Sequence, residues 1–453
     1  MPELPPNVAL ARPPRFKSYA NYKDSRVEWL GRLPGHWDVR CVKRLFRVEN
    51  GSTPKSDDPT YWDGDIPWVT PDDLGRLDRS VLHATARRIT REGYESCGTR
   101  LVPADSMILS TRAPIGHLAI AGVPVCTNQG CRALVFRDDD NRRFMYYALL
   151  AAIPALEALG RGSTFKELAA DDLGDFKLCV PSTVEQVSVA EFLDRETEKI
   201  DAMVAKKERL IGFLQEKRTA LITTVVTKGL DPDVPMKDSG YEWLGQIPTH
   251  WEIRRLKRIS PELTVGVVVN PSTYVSDEGV PFLYGGDIRE GRITAETARR
   301  MNFAQSQALP KSRLRSGDLI MVRVGAPGVT AVVPHELEGA NCASVLIIRG
   351  ARSFDSQWLC YVLNSRAVRH QVEIVQYGAA QEQFNVSHAV EFMVPCPPLE
   401  EQRHISTALD RQATKIDALI ARIRQGINRL GEFRTALISA AVTGKIDVRE
   451  EAK

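Results

Sequence analysis

Two long stretches of the chain carry apolar side chains at the heptad spacing of an amphipathic helix. The first stretch, residues 184–227, has its stripe at Leu193, Ile200, Met203, Leu210, Leu214 and Leu221. The second, residues 400–443, has its stripe at Leu409, Ile416, Ile423, Leu430 and Leu437. Because no proline interrupts either stretch, each is predicted to form one helix, about 60 Å long at about 1.5 Å per residue.

Neither apolar stripe can remain exposed to water, so each predicted helix needs a partner. A coiled coil with any partner would meet that need, but the chain already contains two matching stripes. We therefore predict that the two helices pair with each other in antiparallel orientation. Direct repeats paired in this way are related by a pseudo-two-fold axis, which would place one globular domain at each end of a rod.

The segments that precede the helices also occur twice. Residues 23–37 read KDSRVEWLGRLPGHW and residues 237–251 read KDSGYEWLGQIPTHW, an offset of 214 residues. The helical stretches repeat with an offset of 216 residues, so that Asp194 aligns with Asp410. A period this long indicates a duplicated domain rather than a solenoid unit.

The residues between each repeated start and its helix diverge. Residues 64–74 resemble 279–288 faintly, residues 106–120 resemble 318–332, and Asn128 aligns with Asn341. Short apolar runs in these regions are separated by Gly, Pro, Asn and Asp, which indicates strands joined by turns. Two similar scaffolds are therefore predicted to carry two different sets of loops.

The predicted fold class is α+β, with two β-rich mixed domains separated by two long helices that form an antiparallel coiled coil. Shorter helices are predicted at about 142–159 and 355–370. The chain is divided, in order, into a flexible N-terminal segment (1–21), a first domain (22–180), a first long helix (181–230), a second domain (231–396), a second long helix (397–448) and a tail (449–453).

Composition and charge narrow the function classes. The net charge of +3 over 453 residues excludes a strongly basic nucleic-acid coat, so any nucleic-acid surface must be local. The eight cysteines form no CxxC pair, which argues against a zinc ribbon and fits a reducing compartment. No apolar run approaches the roughly 20 residues of a membrane span, and the N-terminus lacks the apolar core of a signal peptide. A cytoplasmic protein that does not contact membrane is expected.

No motif for catalysis stands out. The sequence has no HExxH and no P-loop, and Asn270-Pro271 lacks the second proline and the glycine-rich loop of an adenine methyltransferase. His36 and His250 repeat within Pro-x-His-Trp turns, so they are interpreted as packing or hydrogen-bonding residues. The acid pairs Asp72-Asp73 and Asp171-Asp172 are interpreted as turn and cap residues. No catalytic residue, metal site or cofactor is predicted.

The order of the short motifs resembles that of type I restriction–modification specificity subunits. The matching segments lie between about residues 22 and 448 and are EWLG with PxHW in both halves, GSTP (51–54), YWDGDIPW (61–68), RAPIG (112–116), NQG (128–130), GSTFKEL (162–168) and PPLEEQ (397–402). The second domain departs from this pattern. It lacks the GSTP opening, has Asn270-Pro271-Ser272 instead, and replaces GSTFKEL by GAAQEQF at 378–384. These differences imply that the two domains read different sequences.

The resemblance implies a non-catalytic, DNA-binding subunit. Such a subunit would recognise an asymmetric bipartite site in double-stranded DNA, one half-site per domain, with the helices setting the unread spacer. Its expected partners are two methyltransferase (modification) subunits, docked on the repeated helices, together with restriction (translocase/nuclease) subunits. The chemistry would belong to those partners.

The candidate DNA contacts are polar side chains in the divergent regions. Arg, Lys, Asn and Gln read base edges, Lys, Arg and Ser bind phosphates, and Asp can accept a hydrogen bond from cytosine. In the first domain these are Lys55, Ser110, Arg112, Gln129 and Lys166, and in the second Asp287, Arg323, Asn341, Gln381 and Gln383. Each could instead be a solvated or turn-capping residue. Thr164 to Glu167 also reads as a capping box, which would start a helix and could bind a phosphate.

Two other functions fit the same residues. The chain could be a stand-alone or orphan DNA-binding protein without restriction partners, which its sequence alone would not distinguish. It could also be an enzyme with an unfamiliar site, which methylation or cleavage by the isolated chain would reveal.

Overall fold

The structure, a computed structural model, describes residues 16–77, 80–138, 140–162, 166–378 and 385–450. The chain forms two compact units, one of Met1–Lys206 with Gln425–Lys453 and the other of Lys207–Arg424. Each unit therefore combines one β-rich domain with a part of both long helices.

The β-rich domain of the first unit begins with short strands and ends where the first long helix starts. Its strands are β1 Tyr22–Asp24, β2 Arg32–Pro34, β3 Asp38–Cys41, β4 Phe46–Asn50, β5 Trp62–Val69, β6 Val81–Leu82, β7 Arg87–Ile89, β8 Met107–Thr111, β9 Ile115–Ala121, β10 Cys126–Thr127, β11 Cys131–Phe136 and β12 Lys177–Val180. Its helices are α1 Val42–Leu45, α2 Pro71–Gly75, α3 Arg91–Glu95, α4 Arg142–Leu159, α5 Ala170–Asp175 and α6 Thr183–Lys228, of which α6 continues into the second unit.

Two sheets make up most of the first domain. One has five strands in the order β4-β11-β8-β9-β6, and the other has three in the order β10-β5-β7. Helix α4 packs on the larger sheet, and Phe144, Leu149 and Leu156 on its buried face join the main hydrophobic core. The central strand β8 is buried on both faces, since every one of its residues is buried.

The second unit repeats this order of elements with shorter strands. Its strands are β13 Met236–Asp238, β14 Gln246–Pro248, β15 Glu252–Arg255, β16 Leu263–Val265, β17 Val275–Ser276, β18 Val280–Leu283, β19 Ile288–Arg289, β20 Arg292–Ile293, β21 Arg299–Met301, β22 Leu319–Val322, β23 Thr330–Val332, β24 Asn341–Cys342, β25 Val345–Ile348 and β26 Met393–Cys396. Its helices are α7 Leu256–Ile259, α8 Phe303–Ala308, α9 Ser356–Asn364, α10 Arg366–Gly378, α11 Val386–Ala389 and α12 Leu399–Val442, of which α12 continues into the first unit.

Strand register supports the faint similarity between the two divergent regions. In the first domain β5 pairs with β7 so that Trp68 lies opposite Arg87. In the second, β18 pairs with β21 so that Phe282 lies opposite Arg299. Each of these strands also has a short parallel neighbour, β10 in one domain and β24 in the other. The two domains therefore share a frame although their side chains differ.

Both predicted long helices are present. Each is followed within two residues by a glycine with positive φ, since Gly229 has φ +81° and Gly444 has φ +67°, the backbone conformation that glycine favours just beyond a helix C-terminus. The helix predicted at 142–159 is α4. The segment predicted at 355–370 is two helices, because Ser365 adopts an extended conformation between α9 and α10 and its hydroxyl donates to the carbonyl of Val362.

The two long helices contact each other within each unit. In the first unit Leu193 and Ile200 of α6 share a core with Leu437 and Ile438 of α12, and Arg434 forms an ion pair with Asp201 at 3.2 Å. In the second unit, Ile222 and Val226 of α6 share a core with Ile405 and Leu409 of α12.

An ion pair in the second unit repeats that of the first. Arg218 lies 3.3 Å from Asp417, and these residues are the repeat equivalents of Arg434 and Asp201, since 218 + 216 = 434 and 201 + 216 = 417. The same ion pair therefore forms in each unit, but the aspartate and the arginine come from opposite copies of the repeat in the two units.

The repeated His-Trp turn binds the first turn of the long helix that follows it. Glu185 in α6 is buried, and its carboxylate lies 2.9 Å from His36 Nε2 and accepts a hydrogen bond from Trp37 Nε1 at 3.4 Å. In the second copy, Glu401 of α12 lies 2.8 Å from His250 Nε2 and accepts from Trp251 Nε1 at 3.0 Å. The helix N-terminus favours a carboxylate at this position. As predicted, both histidines are hydrogen-bonding residues of the scaffold.

We predict that Glu185→Ala destabilises the first unit by about 1–3 kcal/mol, because the buried indole N–H of Trp37 loses its acceptor. The change should appear as a lower midpoint of thermal unfolding. The control is Glu198→Ala, an exposed position on the same helix, for which we expect a change within about 0.5 kcal/mol. Equal effects of the two substitutions would contradict the assigned role of Glu185.

Candidate nucleic-acid interface

Two loops of the first domain meet through a close backbone approach. The N–H of Ser52 donates to the carbonyl of Thr127 at 3.0 Å, and the Thr53 hydroxyl donates to the side-chain oxygen of Gln129. A Cβ at Gly51 would lie 1.9 Å from the carbonyl oxygen of Asn128. Because no other residue leaves room for this approach, glycine is needed for the two loops to meet.

Two tryptophans support the first of these loops. Trp68 Nε1 donates to the carbonyl of Ser52 at 3.0 Å, and Trp62 Nε1 donates to the carbonyl of Lys55 at 3.1 Å. The indole rings are buried and pack edge to face with a centroid distance of 5.1 Å. The loop backbone is thereby fixed, while the side chain of Lys55 is exposed to solvent.

Backbone hydrogen bonds also link these two loops to the segments that carry the other predicted DNA contacts. The N–H of Thr111 donates to the carbonyl of Gly130 at 2.8 Å, and the N–H of Leu168 donates to the carbonyl of Thr111 at 2.9 Å. Arg112 lies opposite Glu167 in an isolated bridge. Backbone contacts therefore connect four neighbouring loops one after another. These loops carry Lys55, Gln129, Arg112 and Lys166.

The fifth predicted residue of the first domain has a different environment. Ser110 is fully buried, donates to the carbonyl of Pro114 at 2.8 Å and accepts from the N–H of His117 at 2.8 Å. Its hydroxyl holds the turn that follows Arg112. The capping box proposed at Thr164 and Glu167 falls partly outside the described residues, because residues 163–165 are not described.

In the second domain, the described candidates are engaged inside the fold. The Asp287 carboxylate accepts from the N–H of Tyr284 at 2.8 Å. Arg323 is 8% exposed and donates to the side-chain oxygen of Asn385 at 2.8 Å. Asn341 is fully buried and donates to the Ser312 hydroxyl at 2.8 Å. Gln381 and Gln383 lie outside the described residues.

The second domain has its own version of the Gly51 loop, at residues 266–270. The N–H of Val267 donates to the carbonyl of Cys342 at 2.9 Å, and a Cβ at Gly266 would lie 2.4 Å from that carbonyl oxygen. The sequence alone predicts Asn270-Pro271-Ser272 at this place instead. The equivalence with the Gly51 loop has no side-chain signature in the sequence, because the contact is made by backbone atoms. The exposed side chains of this loop include two valines, Val268 and Val269.

Register also corrects the alignment of Asn128 with Asn341. Cys126 lies opposite Trp68, and Asn341 lies opposite Phe282, the residue that corresponds to Trp68. Asn341 is therefore the counterpart of Cys126, and Asn128 is the counterpart of Ala343. This explains why Asn341 is buried in a strand, whereas Asn128 lies in a loop and its side chain accepts from the N–H of Gly130 at 3.0 Å.

Sequence reasoning missed several arginines near these loops. Arg87 and Arg88 lie on β7, Arg299 and Arg300 lie on β21, and all four are exposed. The sequence does contain a signal for these arginines, because the tripeptide Ala-Arg-Arg occurs at 86–88 and again at 298–300.

A fifth missed arginine, Arg132, lies on β11 of the first domain. Its Nε is buried and has no hydrogen-bond partner in the described part of the chain. Burial lowers the pKa of Arg132 below its usual range, and the nearby Glu167 opposes that shift. Arginine side chains in proteins keep their positive charge, so Arg132 adds positive potential beside Glu167.

Comparison with known proteins shows similarity to the specificity subunits of type I restriction enzymes. A family model described as the type I restriction modification DNA specificity domain matches residues 34–210. The MjaIX specificity subunit of a type I restriction enzyme from Methanocaldococcus jannaschii is 29% identical over 59% of this chain and 61% of its own length, which is less than two thirds of that relative. The EcoBI specificity subunit from Escherichia coli is 25% identical over 73% of this chain and 71% of its own.

Solved structures agree on the fold. A chain from a study of complex assembly and conformational transition of the type I R-M system superposes with a TM-score of 0.66 and 17% identity, covering 90% of this chain and 98% of that one. The α+β prediction of β-rich domains with long helices is thus confirmed. The family resemblance predicted from the sequence is confirmed as well by the family model and the curated relatives.

The described residues contain no candidate membrane span and no cluster of metal ligands. No helix there is long and apolar enough to cross a membrane. No group of three or more His, Cys, Asp or Glu side chains in the same residues is placed to hold a metal ion.

We predict that Gly51→Ala separates the two loops, because its Cβ would overlap the Asn128 carbonyl. Hydrogen exchange should then show lost protection of the Ser52 amide. Gly212→Ala is the control, since a Cβ there meets nothing within 4 Å and the helix should gain about 0.5–1 kcal/mol. Unchanged protection of Ser52 in the Gly51 variant would contradict the proposed loop contact.

Proposed function

We propose that this chain, as a member of the type I restriction–modification specificity subunits, recognises an asymmetric bipartite DNA site through its two domains. The observation that carries this proposal is a shared frame with different loops. Ser52 and Val267 donate the same backbone hydrogen bond, to Thr127 and Cys342, each after a glycine that a neighbouring carbonyl leaves no room to replace, and the strands beside them have the same register. Two domains built alike but lined differently would read two different half-sites.

The loop side chains differ in the chemistry that they offer to base edges. The first domain presents the exposed amide of Gln129, whose counterpart in the second domain is Ser344. The second domain presents Val268 and Val269, 55% and 77% exposed. Gln pairs with adenine through two hydrogen bonds, whereas an apolar side chain contacts the methyl group of thymine. We propose these contacts for the two half-sites.

The other candidates are assigned by exposure and charge. Exposed Lys55 and Lys166 would bind phosphates, and half-buried Arg112 would reach either a phosphate or a guanine. Ser110, Asp287, Arg323 and Asn341 would hold the reading loops in place, because their hydrogen-bonding groups already have partners inside the domains. Gln381 and Gln383 stay proposed contacts on the ground of the sequence alone.

The partners follow from the family. We propose that the chain itself is non-catalytic and directs adenine methyltransferase and restriction (translocase/nuclease) subunits to its site. The repeated helix contacts, Asp201 with Arg434 and Asp417 with Arg218, would offer equivalent surfaces to two modification subunits. An orphan DNA-binding protein remains the alternative, and genes for a methyltransferase and a helicase-nuclease beside this one would decide against it.

We predict that exchanging residues 40–180 for the same region of a related subunit changes one half-site and leaves the other intact, because each domain would read alone. Sequencing of methylated adenines in cells that express the hybrid with its partner subunits provides the measurement. The control is the reciprocal exchange in the second domain, residues 252–396, which should change the other half-site. A change of both half-sites in either hybrid would contradict the two-reader proposal.

We also predict that Gln129→Ala and Lys55→Ala have different effects on DNA binding. Loss of the amide should relax one base position by about 1–3 kcal/mol of discrimination. Loss of the lysine should weaken binding to all sequences equally, because a phosphate contact carries no base information. Affinities of the assembled complex for a set of singly substituted sites measure both. Equal losses at every position for Gln129→Ala would contradict its part in base reading.

A further inference from the structure

Both domains keep a pair of arginines at the same place in the frame. On β7, Arg87 lies opposite Trp68 and Arg88 lies opposite Pro67. On β21, Arg299 lies opposite Phe282 and Arg300 lies opposite Pro281. The loops around these strands have diverged, so the retained pairs need an explanation that applies to both domains.

The second arginine of each pair is explained by the fold. Arg88 donates to the carbonyl of Asp65, and Arg300 donates to the carbonyl of Gly279 at 2.8 Å. Positions 65 and 279 are equivalent in the repeat, since 65 + 214 = 279. These two guanidinium groups therefore bind the same backbone position of the repeated frame.

The first arginine of each pair is not used in this way. The guanidinium carbon of Arg87 lies 3.4 Å from the ring centre of Trp62, and that of Arg299 lies 4.7 Å from the ring centre of Tyr284. Neither forms an ion pair with a carboxylate within the part of the chain that the structure describes. A guanidinium that stacks by its flat face keeps the N–H groups at its edge available to an acceptor.

Arg87 lies beside the proposed reading loop at 51–55, and the ring that Arg299 contacts, Tyr284, packs in one hydrophobic cluster with Val267 of the loop at 266–270. The aromatic partners of Arg87 are Trp62 and Trp68, whose indole N–H groups hold the backbone of Lys55 and Ser52. The aromatic partner of Arg299 is Tyr284, whose N–H is held by Asp287. The aromatic rings thus fix each guanidinium beside a loop that differs between the domains.

We propose that Arg87 and Arg299 each bind a phosphate of the DNA backbone, one in each domain, whatever the base sequence. This inference rests on the proposed function. Two readers of different half-sites have in common only the sugar-phosphate backbone of their ligand, so a group retained in both suits that common part. Arginine fits it because its planar fork binds phosphate through two parallel hydrogen bonds.

The test measures salt dependence in the complex of this chain with its methyltransferase subunits. The affinity for DNA with and without the recognised site is determined over a range of salt concentrations. For Arg87→Gln, and separately for Arg299→Gln, the slope of log affinity against log salt should fall by about 0.9 per lost phosphate contact. The affinity should fall by the same factor on both DNAs, and the methylated motif should not change.

Two further variants separate charge from packing. Arg87→Lys keeps the positive charge and should keep the wild-type slope, although it weakens the stacking on Trp62. Arg91→Gln is the matched control, because this exposed arginine on the adjacent helix already pairs with Glu95 at 2.6 Å. The slope for this control should stay within error of the wild type.

Three results would overturn the inference. An unchanged slope in the two glutamine variants, with lower thermal stability, would make the arginines packing residues. A changed base in the methylated motif would make them base readers. A slope change equal to that of Arg91→Gln would show a general effect of surface charge. Failure of the proposed function looks different, because the wild-type complex itself would then show no preference for any site.

Discussion

The structure of each unit depends on a carboxylate at the first turn of a long helix. Glu185 and Glu401 each bind the histidine and the tryptophan indole of a turn that lies about 150 residues earlier in the chain. This contact joins the start of a domain to the helix that leaves it, and so encloses everything between them. The domain can vary internally without losing its position, because its two ends are held by groups outside the variable part.

The variable part itself follows a second constraint, a backbone frame that does not depend on side chains. Strand register, the parallel partner strand and the backbone hydrogen bond that follows Gly51 or Gly266 are the same in both domains. The side chains attached to this frame differ, because the first domain carries an amide and lysines whereas the second carries valines. A frame that tolerates such exchange gives a physical basis for domains with separate specificities.

The long helices and the duplication could be predicted from the sequence because both are written in local patterns. Heptad spacing, the absence of proline and the terminal glycines determine α6 and α12, and the repeated Pro-x-His-Trp turn places His36 and His250 in the scaffold. The contact residues were harder to predict, since burial depends on strand partners that are distant in sequence. Asn341 has the chemistry of a base reader, but its register in β24 buries it. The loop at Gly266 had no side-chain signature, and Arg87 was missed because its stacking on Trp62 requires the folded sheet.

The central claim is that one chain reads two different half-sites. The most direct measurement is single-molecule sequencing of methylated adenines in the genome of cells that contain this chain and the proposed partner subunits. The account predicts one motif made of two short, unlike half-sites separated by a spacer of fixed length and unspecified sequence. A continuous motif, or two identical half-sites in a palindrome, would contradict it.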